Sequence, residues 1–310
     1  MRSDFSYPSV GAGTLHGCVW TPEGEIKAVV QIIHGIAEFI ERYDAFAEYL
    51  NTLGFLVVAE DHMGHGQSVG KKGTQGYFHG GWFAAVEDSY RLLQGTRQRH
   101  PDVPYVLFGH SMGSFMARTI LAKYPDSGIT AAVICGTGWQ PRAFLPAAIA
   151  VCKSACASVG EKNPSQQLQN MVFAGYNAHV EHPRTAFDWL SRDKKCVDDY
   201  IAHPSCGFTA STGLLRDLLM GIQYVEQKQS LANMNKALPV LFVSGGEDPV
   251  GSYGKGVRRA ARAFRKAGMA DVTLRLFPLC RHEILNEINR EEIYKVISDW
   301  MLEKIEGNTA

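Results

Sequence analysis

Short apolar runs alternate with longer amphipathic segments over both ends of this chain, a pattern that calls for a mostly parallel sheet covered by helices. Residues 29–33, 56–59, 105–108, 131–135, 239–243 and 272–277 read as strands. They are apolar at successive positions rather than at alternate ones, as strands buried on both faces should be. Helical patterns lie between them. One runs through Tyr43, Phe46, Ala47 and Leu50, one covers 82–99, and one carries Phe115, Ile120 and Leu121 on its inner face. An Arg- and Ala-rich helix follows residue 243, and an amphipathic helix over about 283–305 closes the pattern.

The alternation stops between residues 139 and 237, where only helical candidates such as 212–223 occur. A chain of 310 residues is also long for one minimal core. Both observations point to a core in two parts, 1–138 and 238–310, with a helical cap at 139–237 inserted between two strands of one sheet.

Composition removes several function classes. Lys plus Arg and Asp plus Glu stand at 31 each, so neither a basic nucleic-acid surface nor an acidic tail is expected. No run reaches the roughly 18 to 20 apolar residues of a membrane-spanning helix. The first residues show no apolar signal region. Seven cysteines are an odd number without a CxxC pair, Cys135 lies in an apolar run, and Cys152 and Cys156 have helical spacing. This reads as reduced thiols in a cytoplasmic protein.

Gly109-His110-Ser111-Met112-Gly113 directly follows a buried strand and opens a helix. Flanking glycines permit a sharp turn, which presents the serine where the helix N-terminus supplies free N–H groups. A serine hydroxyl needs a base, and the base needs an orienting acid. Asp248 follows the strand at 239–243, and His282 follows the strand at 272–277. Parallel strands place all these ends together, so Ser111, Asp248 and His282 are expected at one sheet edge as nucleophile, acid and base. Glu247 competes with Asp248 for the acid, while His110 and His203 compete less well for the base. His282-Glu283-Ile284-Leu285-Asn286 approaches the zinc motif H-E-x-x-H, but Asn286 stands where the second ligand should be. His34-Gly35, after the strand at 29–33, is the candidate oxyanion loop, with the Met112 N–H as the other donor. The turn at 61–68 reads as packing beside that loop, with His65 structural.

These residues resemble the monoacylglycerol lipase and lysophospholipase-like serine hydrolases of the α/β-hydrolase superfamily. The match lies in His34-Gly35 with Glu38, the 61–68 segment, the pentapeptide around Ser111, and Arg281-His282-Glu283 through Glu287. It spans roughly 29–125 and 239–300, and weakens over 189–221. The resemblance implies the α/β-hydrolase fold, a Ser111–Asp248–His282 triad, an oxyanion hole from the Ile36 and Met112 N–H groups, and a mobile cap over an acyl-binding pocket. It implies no metal and no cofactor. One departure is Ala37, where this group often has glycine, so the local turn must be made without glycine's freedom at positive φ.

The cap block is apolar at Phe144 to Val151, and Leu214, Leu215, Leu218, Leu219 and Ile222 have helical spacing. These side chains would build the cap's own core, line an acyl tunnel or touch a lipid surface. The expected substrate is a single-chain ester such as a monoacylglycerol or lysophospholipid. An aminopeptidase would need a carboxylate for the substrate amine, and Glu161, Glu181, Asp198 and Asp199 are available in the cap. A ligand receptor on the same fold is the third reading. Relatives with an Asp nucleophile are disfavoured by Ser111.

Overall fold

The computed structural model describes residues 1–71, 73–141 and 143–307. Eight strands form one sheet: β1 (Arg2–Pro8), β2 (Thr14–Trp20), β3 (Ala28–Ile33), β4 (Phe55–Glu60), β5 (Tyr105–His110), β6 (Ala131–Cys135), β7 (Val240–Gly245) and β8 (Val272–Phe277). Their order is β1-β2-β4-β3-β5-β6-β7-β8. The first two pair antiparallel, β2 joins β4 antiparallel, and every pairing from β4 to β8 is parallel.

Period-two geometry explains the apolar runs. In β6, Ala132 and Ile134 enter one core, while Ala131, Val133 and Cys135 enter the other. The first core is closed by α2 (Gly81–Arg99), α3 (Met112–Lys123) and α9 (Lys255–Lys266), the second by α1 (Asp44–Thr52) and α10 (Arg290–Glu306). The mostly parallel sheet with helices on both faces is therefore as the sequence predicts. Among the described residues, five further helices lie between β6 and β7: α4 (Phe144–Val159), α5 (Gln166–Val172), α6 (Lys194–Ala202), α7 (Thr212–Val225) and α8 (Lys228–Asn233).

Two features depart from the sequence reading. The β1–β2 pair was not legible, because β1 alternates polar with half-buried residues and stays largely exposed. The closing helix begins at Arg290, not near 283. Residues 284–286 instead make a single 3-10 turn. Glu287 is the reason: its carboxylate accepts from the Arg281 N–H at 2.7 Å and from Arg192 Nε at 2.8 Å. Those bonds hold the segment as a loop.

Candidate active site

The turn after β5 is built by exclusion. A Cβ on Gly109 would lie 2.4 Å from the Gly113 carbonyl oxygen, and one on Gly113 would lie 2.0 Å from that of Ile33. Only glycine fits either position. Ser111 between them holds φ 52° and ψ −119°. Its N–H donates to the Cys135 carbonyl at 3.0 Å, and Ser114 Oγ donates to its carbonyl at 2.6 Å. These bonds pin a backbone that a serine adopts at a cost of about 1–3 kcal/mol.

Asp248 and His282 arrive from the ends of β7 and β8. His282 Nδ1 lies 3.0 Å from Asp248 Oδ1, and both side chains are buried. Asp248 also accepts from Ser244 Oγ at 3.0 Å and the Val250 N–H at 2.9 Å. Burial alone would raise the Asp248 pKa, but the His282 charge and hydrogen bond, with these donors, hold it below the ordinary carboxylate value. Acceptance by Asp248 puts the His282 proton on Nδ1 and leaves Nε2 as the basic nitrogen. Ser111 and His282 line one cavity.

The competing residues fall elsewhere. Glu247 points to half-exposed His179, 3.9 Å away. His203 stacks on Phe39 at 4.2 Å, and Asn286 Nδ2 donates to Glu283. No group of His, Cys, Asp and Glu suited to a metal occurs among the described residues.

The loop after β3 is held at both ends of one residue. Gly35 donates its N–H to Glu38 Oε1 at 2.5 Å, and its carbonyl lies 2.7 Å from His34 Nδ1. His34 Nε2 accepts the His62 N–H at 3.0 Å, so the His34 proton is on Nδ1 and is donated to Gly35. This orients the Gly35–Ile36 peptide and with it the Ile36 N–H. Ile36 and Met112 both line the cavity, and neither N–H has a protein acceptor among the described residues. Ala37 does adopt φ 55°, and its carbonyl accepts the Gly207 N–H at 3.0 Å. The 61–68 turn packs beneath, with the His34 and His62 rings stacked at 4.0 Å. Burial lowers the His65 pKa to about 3, which keeps it a neutral packing group.

Glu38 and His110 were underread in the sequence. His110 Nδ1 donates to Glu38 Oε1 at 3.0 Å, and the His110 and His282 rings lie 4.9 Å apart. Nothing in spacing alone signals that pair. The segment 188–193 between α5 and α6 was also unread: Trp189 and Leu190 carbonyls accept the His282 and Glu283 N–H groups, and Arg281 donates to the Asp188 and Ser191 carbonyls. This part of the insertion is fastened directly to the loop that carries His282.

The cavity has a volume of about 500 Å³. Ser111, His110, Glu38 and Glu283 line its polar side, while Leu168, Val172, Phe173, Leu218, Leu219 and Ile222 from the inserted segment make apolar walls. A sequence model of the family described as "Serine aminopeptidase, S33" matches residues 24–289. The chain belongs to that family. This S33 hydrolase is 29% identical over 308 residues to a monoacylglycerol lipase of Mycolicibacterium smegmatis, across 97% of each chain. It is 28% identical over 296 residues to the monoglyceride lipase of Mus musculus, across 92% of this chain and 86% of the relative. A thermostable carboxyl esterase from Bacillus coagulans, solved with glycerol, superposes with a TM-score of 0.91 at 26% identity, covering 98% of this chain and 99% of its own. The S33 hydrolase thus has the α/β-hydrolase fold and is a hydrolytic enzyme of the serine esterase type.

Proposed function

We propose that this enzyme hydrolyses single-chain lipid esters, such as a monoacylglycerol or lysophospholipid, through an acyl-enzyme on Ser111. The observation that carries the reading is the cavity: Ser111 and His282 stand beside a predominantly apolar chamber roofed by α4, α5 and α7. A pocket of that kind buries an acyl chain and leaves the ester at the polar side. His282 Nε2 takes the Ser111 proton as Oγ attacks the carbonyl carbon, and Asp248 stabilises the imidazolium. The Ile36 and Met112 N–H groups receive the oxyanion, each contributing about 3 kcal/mol to lowering the barrier. Collapse breaks the ester bond, and the alcohol leaves with the proton from His282. Water activated by His282 then releases the fatty acid.

Residues 139–237 act as the cap in this reading. Phe144, Val151 and Met171 line the cavity yet are 50%, 46% and 55% exposed, so the rim is apolar and suited to a lipid surface. Seven free thiols, six of them buried, fit a reducing, cytoplasmic compartment.

The family's description keeps an aminopeptidase as a second reading. Among the described residues, Glu161, Glu181, Asp198 and Asp199 do not line the cavity. Glu161 pairs with Arg216, Asp198 with Arg184 and Asp199 with Lys195. The acids that do line it, Glu38 and Glu283, are already paired with His110 and Arg42. A substrate ammonium therefore lacks a free carboxylate. Hydrolysis of p-nitrophenyl esters of increasing chain length, with monoacylglycerol, lysophospholipid and an aminoacyl anilide, tests the choice. Medium- or long-chain esters are expected to be the best substrates. Turnover confined to the anilide would overturn the reading.

A further inference from the structure

Four ionisable side chains lie buried in a row beside the cavity. His110 Nδ1 is 3.0 Å from Glu38 Oε1, and Glu38 Oε2 is 3.5 Å from Arg42 Nε. Arg42 Nη2 in turn pairs with Glu283 Oε2. Their side chains are between 4% and 11% exposed. The middle link is a charge contact without a hydrogen bond, since Arg42 Nε has no hydrogen-bond partner. With His110 protonated, signs alternate along the row and each charge is offset by its neighbours.

The row joins segments far apart in sequence. His110 directly precedes Ser111, Glu38 and Arg42 follow the Gly35–Ile36 loop, and Glu283 directly follows His282. Glu38 Oε1 gathers three donors: the Gly35 N–H, Tyr43 Oη at 2.9 Å and His110 Nδ1. Arg42 also lies 4.7 Å from the Tyr200 ring of the insertion. Packing alone does not account for this arrangement. Buried ion pairs are commonly no more stabilising than apolar residues of the same shape. Three linked pairs at the junction of three loops point to a geometric role.

We propose that His110, Glu38, Arg42 and Glu283 form one chain of alternating charge that locks the Ser111 turn, the Ile36 loop and the His282 loop into a fixed mutual geometry. Glu38 and Arg42 are its positioning residues. The inference rests on the Ser111–Asp248–His282 reading. Without the row, the Ile36 N–H and the His282 ring would each drift relative to Ser111, and misplacement of that kind slows chemistry more than it weakens binding. The electrostatics agree with the geometry. Burial would lower the His110 pKa, but Glu38 raises it above the ordinary value. Burial would raise the Glu38 pKa, but His110 and Arg42 hold it well below the usual carboxylate range. The other titratable groups facing His110 are Tyr43, His34, Cys135, Asp248, His282 and Glu283.

Glu38→Gln keeps an acceptor for Gly35 and removes the charge. It should lower kcat about 10- to 100-fold while KM stays within about threefold. The alkaline limb of its kcat–pH profile should move to lower pH, because His110 loses the carboxylate that holds its proton. Arg42→Met and Glu283→Gln should each lower kcat. Their double variant should cost no more than the worse single one, as links in series require. Should Glu38→Gln fail to fold, Arg42→Lys carries the test, keeping the charge but not the fork, with a smaller loss than Arg42→Met. A folded Glu38→Gln with wild-type kcat and pH profile would overturn the proposal, as would fully multiplicative losses for Arg42→Met and Glu283→Gln. Labelling the wild type with a serine-directed phosphonate separates the two readings. Labelling away from Ser111 refutes the triad, whereas labelling at Ser111 with silent variants refutes the charge chain alone.

Discussion

Glu60 shows how far a single residue's environment departs from its sequence neighbourhood. It ends β4, is fully buried, and is bonded to Tyr7 Oη and Ser89 Oγ. Burial first, and then Asp88 and Asp61, push its pKa from 4.5 to about 8. A group whose folded pKa is raised contributes stability that is complete below its unfolded value and is lost as pH rises through the folded one. The wild type should therefore lose stability relative to Glu60→Gln between pH 5 and pH 9, as read from paired thermal melts. A constant difference across that range would show that Glu60 does not take up its proton on folding. Glu60 was invisible in the sequence because its burial depends on α2 packing over β4. The placement of Ser111, Asp248 and His282 was legible because each follows a strand in order: His282 Nδ1 lies 3.0 Å from Asp248 Oδ1, and Ser111 and His282 line one cavity. The Glu38–His110 pair was not, since two residues 72 positions apart meet only once the sheet is formed.

Among the elements, the β5–α3 connection is tightly constrained. Gly113 admits no Cβ, because backbone oxygens of Ile33 and His34 stand 2.0 and 2.6 Å from where one would sit. Neither can move without disturbing β3. Gly113→Ala should destabilise the protein by about 3 kcal/mol or more, at the upper end of overpacking costs, as measured by denaturant unfolding. A loss under about 0.5 kcal/mol would mean that the turn relaxes freely. Parallel strands and their helices were readable because burial on both faces leaves runs that polar loops interrupt. β1 and β2 were not: β1 is an exposed antiparallel edge, and β2, though largely buried between β1 and β4, is interrupted by Thr14, His16 and Gly17. The start of α10 was misplaced because helical periodicity through 283–289 is overridden by Glu283 and Glu287, whose carboxylates bind Arg42, Arg281 and Arg192.

Across the whole molecule, the sheet carries the proposed reacting residues at its strand ends, and the inserted helices wall much of the chamber beside them. The existence of an inserted helical block was legible in the lost alternation, whereas its fastening at 188–193 to the His282 loop arises from backbone hydrogen bonds that sequence pattern does not encode. That fastening ties the segment adjoining His282 to the proposed reacting centre, and exposed apolar residues of α4 and α5 also line the chamber. The proposed role of Ser111 is that of the nucleophile serving this chamber. Its most direct test is to treat the intact protein with a long-chain fluorophosphonate, map the adduct by mass spectrometry, and measure ester turnover of wild type and Ser111→Ala in parallel. Expected are a single adduct on Ser111, medium- or long-chain ester hydrolysis by the wild type, and a loss of several orders of magnitude in a Ser111→Ala protein that still folds. An adduct on another residue, or a folded Ser111→Ala protein with wild-type turnover, would contradict it.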